Sequence, residues 1–392
     1  MKRIAVIGAG AAGCFCAAEL RRRLPAVKVD VYESGPKPLA KVAITGGGRC
    51  NLTNSFEGIR SLGEAYPRGE RLMKRLLRVF SQEDTWRWFE DAGVPLVLQD
   101  DHCVFPRSQD AMDIVHALLR RMEGVNLLLR TPVHSIGPDL TVDGEAYDAV
   151  VVTTGGAPKG LPLLEGLDLE WVPTLPSLFT FTIQDEGLRA LMGLVVEATV
   201  SIPGTTFKAD GPLLITDWGL SGPAVLKLSS YAARHLHDAG YKAPLSVNWL
   251  SLSEAETRAL LEELSTANPR KQVSNTPPAG LQARLWNYLT VKAGLRLDIR
   301  WAELGSKGLN KLVNTLAQDS YTIAGKTKFR DEFVTCGGVA LSNLNPATLE
   351  SKQYPGLYFA GEVLDIDAIT GGFNLQAAWT TGYGAAQSIA SK

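Results

Sequence analysis

The sequence predicts an α/β fold in which a doubly wound parallel sheet is interrupted by a β-rich insert domain and a small helical domain. Three observations carry this expectation. Residues 2–7, KRIAVI, are a short apolar β-prone run that leads into GAGAAG, an Ala-rich stretch from Cys14 to Leu24 stopped by Pro25, and VKVDVYE over 27–33. Strand, helix and alternating strand in that order make a β-α-β unit, and parallel strands joined by helices need cover on both sheet faces. Near Ser177 the texture changes: LFTFTI, LVVEATVSI and GPLLIT are strands with turn signals and no long helices between them, as in an antiparallel sheet or small barrel. The α/β texture then returns with LYFAG at 357–361 and a Gly- and Ala-rich helix from Gly372 to Ser391.

The remaining elements follow in order. Helical patterns at about 70–79, 82–92 and 108–122 precede a strand-like stretch from Val125 to Ile136, and DAVVVTTGG (148–156) is a buried strand running into glycines. Further helices are expected in SEAETRALLEEL (253–264), LQARLWNYLTVKA (281–293) and LNKLVNTLAQ (309–318), with the breaker-rich PRKQVSNTPPAG between the first two. Because sheet strands stay adjacent in space, the last segment is expected to complete the first domain. The expected boundaries are 1–185 and 335–392 for the sheet domain, 186–250 with 319–334 for the β-rich insert, and 251–318 for the helical subdomain.

Bulk properties describe a soluble globular chain. Of 392 residues, 45% are hydrophobic and 21% charged, and 40 basic against 41 acidic residues leave a net charge of -1. Such a balance gives no global field for nucleic acid or an anionic membrane, so neither is an expected partner. Cysteines at 14, 16, 50, 103 and 336 are few, odd in number and scattered, which fits a reducing cytoplasm rather than a disulfide framework. Neither they nor the five histidines have metal-site spacing, so no metal is expected. The basic, apolar N-terminus imitates a secretory signal, but Gly8, Gly10 and Gly13 interrupt it. Oligomeric state is not written in the sequence.

Those three glycines stand where a dinucleotide fingerprint requires them. Gly8-x-Gly10-x-x-Gly13, with Ala12 inside it, follows a strand and opens a helix, and Glu33 ends the next strand 20 residues beyond Gly13, with Ser34 after it. The glycines serve the turn, the approach of pyrophosphate to the helix N-terminus and helix-to-strand packing, while the acid serves ribose hydroxyls. An acid at 33 disfavours a 2′-phosphate, leaving NAD or FAD. Further glycine-rich segments at 45–51, 154–156 and 370–374 suit a long, permanently held ligand. Thr154, Gly155 and Gly156 end a strand at the carboxyl edge, where open α/β sheets bind ligands.

GAGAAG with YE, AITGGGRCNLTN, VVTTGGAP, DWGLSGPAVLKLS, TCGGVAL and YPGLYFAGEVLDIDAITGGFNLQAAWTTGYGAA resemble the BaiN-like, or YhiN-type, flavoproteins, also described as aminoacetone oxidase-family FAD-binding enzymes. The resemblance runs from the first strand to the last helix. It implies a Rossmann-like FAD-binding domain of the glutathione-reductase type and an oxidoreductase activity, and it names the cofactor more firmly than the substrate. It also implies that Lys41, Gly46, Gly47, Gly48, Arg49, Cys50 and Asn51 line FAD along its pyrophosphate and ribityl chain. Arg49 would offset phosphate charge or turn outward to a carboxylate. Cys50 would lie near the flavin or be a small packed thiol. Val133, at an expected strand position after Pro132, would recognise adenine through its backbone or be a plain core valine. Gly361 and Glu362 would flank the ribityl chain, and amides at Gly372, Phe373 and Asn374 would open the last helix toward the flavin pyrimidine edge. Asp365 and Asp367 are ring-proximal acids or ordinary turn residues.

The function so implied is that of an FAD-dependent oxidoreductase, with hydride passing from NAD(P)H, a transient electron donor, through tightly held FAD to a small organic acceptor such as a C=C bond. No second fingerprint serves the nicotinamide, because GGAPKG at 155–160 lacks the spacing and a following helix. An amine oxidase releasing peroxide is the alternative. A third reading is a non-enzymatic or RNA-associated flavoprotein using the basic stripe Arg68, Arg71, Lys74, Arg75 and Arg78, for which a solvated face is the ordinary explanation. No catalytic acid or base is assigned. The substrate is expected near DWGLSGP (217–223), with Trp218 and Ser221, because pockets favour domain junctions.

Overall fold

The computed structural model describes residues 2–156, 161–327 and 334–392. The chain divides into two compact units, Met1–Pro176 with Val334–Lys392, and Ser177–Phe333.

In the first unit β1 (Arg3–Ile7), helix α1 (Ala11–Arg23) and β2 (Lys28–Tyr32) form the expected β-α-β unit. With β3 (Asn126–Leu128), β4 (Ala149–Val152) and β11 (Leu357–Phe359) they build a five-stranded parallel sheet in the order β11-β4-β1-β2-β3. Ala5 sits opposite Asp30 on one side and Val150 on the other, so β1 is paired along both edges, and its residues Ile4–Ile7 are buried. Every residue of α1 from Ala12 to Leu20 is buried, as a helix covered on several sides requires. It packs on the closing helix α5 (Phe373–Ala390), where a Cβ at Gly382 would lie only 2.7 Å from the Ala12 carbonyl oxygen. Helices α2 (Glu70–Leu76), α3 (Gln82–Asp91) and α4 (Ala111–Arg121) match the expected patterns with shorter ends.

Val125 to Ile136 is not one strand. Pairing stops at Leu128, Arg130 takes a φ of 53°, and the amides of Arg130 and Thr131 turn to the carbonyls of Gly35 (3.0 Å) and Glu33 (2.8 Å). Pro132, with no N–H to donate, cannot extend the ladder. Val133 therefore lies in the connection beyond the strand, half-buried.

Tryptophans 88 and 379 are core residues. Phe15 of α1 lies 4.5 Å from Trp88 and 5.5 Å from Trp379, ring centre to ring centre. Trp88 Nε1 donates to Glu19 Oε1 (2.8 Å), and Arg22 and Arg23 pair with the same carboxylate at 2.7 and 3.1 Å. Burial alone pushes Glu19 up, but the hydrogen bonds from Arg22 and Trp88 outweigh it and hold the carboxyl below its ordinary value of 4.5. Asp30, buried beside Asn126, Arg3 and Tyr147, is likewise held low. A depressed folded pKa stabilises the protein fully above the unfolded value and is lost as pH falls through the folded one. Thermal melts are thus expected to lose stability progressively below about pH 4, and Glu19→Gln to flatten that acid limb while lowering the plateau.

The second unit is a closed antiparallel barrel of β5 (Phe181–Ile183), β6 (Val195–Ser201), β7 (Lys208–Ile215), β8 (Gly219–Ser221), β9 (Ala243–Asn248) and β10 (Asp319–Lys326), in the order β5-β8-β7-β6-β9-β10. Closure removes the exposed edges that an open sheet would leave. Helices Glu254–Ala267, Ala283–Lys292 and Trp301–Ala317 connect β9 to β10 and share its apolar core, with Leu245, Val247, Trp286 and Leu312 in one cluster. The barrel is tied to them through Asp319, which accepts from Trp249 Nε1 (2.9 Å) and pairs with Lys292 (2.7 Å). No helix among the described residues is long and apolar enough to cross a membrane.

Candidate cofactor site

The fingerprint turn leaves the carboxyl end of β1. Gly8 has a φ of 106°, and a Cβ there would lie 2.7 Å from the Thr153 carbonyl oxygen. Gly13 is closed off more tightly: its Cβ would sit 1.9 Å from Gly8 O and 2.5 Å from Thr153 Oγ1. Gly10 differs. It caps α1 with no side-chain bond, and a Cβ on it would meet nothing among the described residues within 4 Å. The N-terminus of α1, the positive end of its dipole, thus has no side chain at its cap, the kind of place that suits an anionic group.

Glu33 stands directly beyond β2. Its Oε2 accepts from the Ala9 amide (3.0 Å) and its Oε1 from the Gly35 amide (2.7 Å), with Ser34 Oγ 3.4 Å away. The carboxylate locks the fingerprint turn to the end of β2 and keeps further lone pairs for hydroxyl donors. Replacing Glu33 with Gln turns one acceptor oxygen into a donor facing an N–H. We expect a loss of about 1–3 kcal/mol in stability, read as a lower melting temperature, together with weaker retention of FAD.

The stretch AITGGGRC is a short helix that ends in an unusual turn. Assigned over Ala40–Gly48, it breaks at Thr45 (ψ 149°), after which Gly46, Gly47 and Gly48 take φ of 58°, 69° and 83°. Among the described residues a Cβ at Gly47 or Gly48 would touch nothing within 4 Å, so dihedral sign rather than crowding excludes other residues here. Arg49 does not reach a carboxylate among the described residues. It donates to Gly46 O (3.2 Å) and lies over the Phe105 ring at 4.5 Å. Cys50 is wholly buried and burial pushes its thiol up to about 12, so it is a packed, inert side chain.

Two groups of contacts bring distant segments together. In the first, Ala12, Lys41, Gly155, Gly156, Gly361 and Glu362 meet. A Cβ on Gly361 would lie 2.8 Å from that of Ala12, and the Gly361 amide donates to Thr381 Oγ1 (2.8 Å). Glu362 pairs with Lys41 at 3.6 Å and accepts from the Thr335 amide at 2.8 Å. A Cβ at Gly155 or Gly156 would come within 3.7 or 2.9 Å of the Glu362 carboxylate. Among the described residues Thr154 Oγ1, buried beside them, has no hydrogen-bond partner, the kind of orphaned polar atom that a ligand satisfies. Residues 157–160, the rest of GGAPKG, lie outside the described residues.

In the second group the strand Thr53–Asn54 is sewn to the start of α5. Thr53 Oγ1 donates to Gln376 Oε1 (2.6 Å) and Asn54 Nδ2 to Gly371 O (3.0 Å). Asn51, with its carboxamide oriented to satisfy both ends, donates to Thr53 O (3.1 Å) and accepts from Gly372 N (3.3 Å). Asn374 folds back on Ala368, accepting from its amide and donating to its carbonyl, both at 2.9 Å. The Phe373 carbonyl accepts from Tyr66 OH (2.9 Å). Asp365 is half-buried, its amide on Val339 O (3.1 Å). Asp367 is fully buried in a two-pronged ion pair with Arg68. Arg68 therefore leaves the basic stripe, and only Arg71, Lys74, Arg75 and Arg78 form a solvated face.

Sequence reasoning missed the Arg68–Asp367 pair, the Thr53–Gln376 contact and the Tyr66 anchor, because none has a local spacing. Trp218 and Ser221 belong to the second unit, where Trp218 Nε1 donates to Thr180 Oγ1 (3.2 Å) and Ser221 pairs with Leu214. A cavity lined by Thr53, Asn54, Trp86 and Leu98 lies within the first unit.

One fingerprint on a parallel sheet, an open helix N-terminus, an acid after β2 and glycine turns converging from three further segments define an FAD-binding Rossmann oxidoreductase. The chain belongs to the family described as HI0933-like protein Rossmann domain, whose profile matches residues 2–388. It is 31% identical over 408 residues to the ribosomal RNA dihydrouridine synthase of Escherichia coli K12, covering 98% of this chain and 97% of that protein. It is 27% identical over 420 residues to the 3-dehydro-bile acid delta(4,6)-reductase of Clostridium scindens, covering 100% of both. Among solved structures, 3-ketosteroid delta1-dehydrogenase from Sterolibacterium denitrificans is similar in fold, with a TM-score of 0.50 and 15% identity over 100% of each chain.

Proposed function

We propose that this FAD-dependent oxidoreductase reduces a C=C bond conjugated to a carbonyl, with NAD(P)H as the electron donor. The observation that carries the reading is a bond shared by two relatives matched over nearly the whole chain. Forming dihydrouridine saturates the ring C=C of uracil beside a carbonyl, and a delta(4,6)-reductase acting on a 3-dehydro steroid saturates double bonds conjugated to its ketone. Bound FAD supplies the two-electron hydride chemistry that such a saturation needs.

The chain's own residues bind and orient. The amides following Gly10 and the Gly46–Gly48 turn hold the pyrophosphate, Glu33 and Ser34 the adenosine ribose, and the backbone at Val133 the adenine. Thr154, Gly155, Gly156, Gly361 and Glu362 flank the ribityl chain, with Lys41 neutralising Glu362. Asn51, Gly372, Phe373 and Asn374 present the N-terminus of α5 to the ring end, where a helix dipole favours negative charge.

The test is anaerobic. The purified yellow protein is mixed with NADH or NADPH, then with simple enones and with uridine-containing ribosomal RNA, while flavin absorbance is followed. We expect bleaching by one nicotinamide and recovery of colour with an enone or uracil acceptor, the product two mass units heavier by mass spectrometry. Bleaching by an amine such as aminoacetone, with recovery by oxygen alone and peroxide release, would replace this reading with that of an amine oxidase.

A further inference from the structure

The first unit contains a small antiparallel sheet, Thr53–Asn54 with Leu96–Leu98 and Cys103–Pro106, and a cavity of about 360 Å³ is lined by this sheet together with helix α3. Thr53 lies opposite Val104, and Val104 opposite Leu98, so the three side chains form one cross-strand row on a single face. Helix α3 supplies Gln82 and Trp86, one turn apart, and beside them Glu83 and Arg87. The volume falls within the range of about 300–1,000 Å³ typical of sites for small organic molecules.

Trp86 differs from its neighbours. Trp88 Nε1 donates to Glu19 Oε1 (2.8 Å) and Trp379 Nε1 to Leu52 O (3.0 Å). Trp86 is half-buried, yet among the described residues its N–H makes no hydrogen bond and its ring meets no other aromatic ring. The carboxamide of Gln82, also half-buried, is likewise uncommitted among them. An indole N–H only donates, whereas a carboxamide both donates and accepts, so the wall combines an apolar aromatic face with donors and an acceptor. Its charges are already answered. Arg87 Nη2 donates to Asp84 Oδ1 (2.9 Å), and Glu83 and Asp84 sit in the first turn of α3, where they offset the helix dipole. Thr53 and Asn54, in the same lining, donate to Gln376 Oε1 (2.6 Å) and Gly371 O (3.0 Å), so a molecule held here would rest on the strand that secures the start of α5.

We propose that this cavity binds a neutral, flat aromatic ring that carries a carboxamide. The ring stacks on Trp86 against the apolar row of Val104 and Leu98, and its amide exchanges hydrogen bonds with the Trp86 N–H and the Gln82 carboxamide. A carboxylate in place of the amide would meet Glu83 and an arginine already paired, and a saturated ring would forfeit the stacking. Two sources share this chemistry, a free aromatic amide and the nicotinamide end of a dinucleotide, for which the chain has no second fingerprint. The inference goes beyond the reading of the flavin reaction and holds whichever acceptor the flavin reduces.

The experiment titrates full-length FAD-loaded protein with nicotinamide by calorimetry, beside nicotinate as the charged control and cyclohexanecarboxamide as the non-planar one. Trp86→Ala removes the stacking face, and Leu98→Trp fills the cavity from a position 45% exposed. Flavin content and melting temperature are the folding controls, and Leu98→Trp decides alone if Trp86→Ala fails them. We expect saturable nicotinamide binding that raises the melting temperature, is weakened about tenfold or more by Trp86→Ala and is abolished by Leu98→Trp. Both control compounds are expected to bind roughly tenfold more weakly than nicotinamide. NADH forms a further arm: competition with nicotinamide would identify the dinucleotide as the source and lack of competition a free amide, and either result supports the cavity as the site. No saturable binding by the wild type, or equal binding by the wild type and the folded variants, would overturn the site. Control compounds that bind as tightly as nicotinamide would overturn the ligand class.

Discussion

Gly13→Ala is expected to yield a protein that no longer holds flavin and melts well below the wild type. The added methyl would lie 1.9 Å from Gly8 O and 2.5 Å from Thr153 Oγ1, and the nearest atom is backbone that cannot swing aside. Thr153 Oγ1 is itself committed, donating to the Ile7 and Gly8 carbonyls at 3.0 and 2.8 Å. Overpacking of this kind costs about 1–3 kcal/mol and sometimes more, and a rigid carbonyl puts Gly13 at the upper end. Relief can come only if α1 moves off β1, and that motion would displace the first-turn amides that we propose cradle the cofactor. Measuring flavin-to-protein ratio and melting temperature checks both parts. By contrast Gly10→Ala, where a Cβ meets nothing within 4 Å, is expected to leave the fold intact and weaken only FAD binding. Equal melting of the Gly13→Ala and wild-type proteins would contradict the packing role.

Breaking the Arg68–Asp367 pair is the second large effect. Arg68 is 15% and Asp367 0% exposed, so neither charge can turn to water when the other is removed. Burial opposes the guanidinium charge, but the bond to Asp367 more than restores it and keeps Arg68 firmly cationic. Arg68→Met is expected to cost about 3–5 kcal/mol, because it takes a two-pronged guanidinium from a buried carboxylate, whereas an apolar replacement of both partners is expected to recover much of that loss. The consequence reaches the loop that we propose carries the ring end of the cofactor. This pair, the Ile369 amide on Ala65 O (2.9 Å) and Tyr66 OH on Phe373 O (2.9 Å) together hold the 366–373 loop against residues 65–68. A single variant with wild-type melting and an unchanged flavin spectrum would refute this anchoring. A double-mutant cycle on melting, with the flavin reduction potential as a second readout, separates the pair from general damage.

The fingerprint and the β-α-β unit were readable because their requirements are local. The three glycines and Glu33 lie within a single supersecondary unit whose geometry is nearly invariant, so spacing alone places them. The barrel was readable as a class from short strands and turn signals, but not its closure, since strand order depends on pairings between residues far apart in sequence. Val133 was misplaced on a strand because the apolar run from Val125 continues past the point where pairing ends, and only the turn toward Glu33 and Gly35 stops it. Gly46 to Gly48 advertised an unusual backbone; their left-handed dihedrals explain it without crowding. Arg68 looked like one more member of a charged helical stripe. Its partner lies 299 residues away, and no periodicity carries that information.

What the sequence determined by itself was therefore the kind of cofactor domain, because phosphate cradling and helix-strand packing demand particular residue types at fixed short intervals. Which side chains of those segments face one another was decided only by the tertiary structure. The Lys41–Glu362, Thr53–Gln376 and Arg68–Asp367 contacts exist because the sheet and the closing helix α5 bring remote loops to one edge, and the burial of the last two pairs is a property of the packed molecule rather than of any stretch of chain.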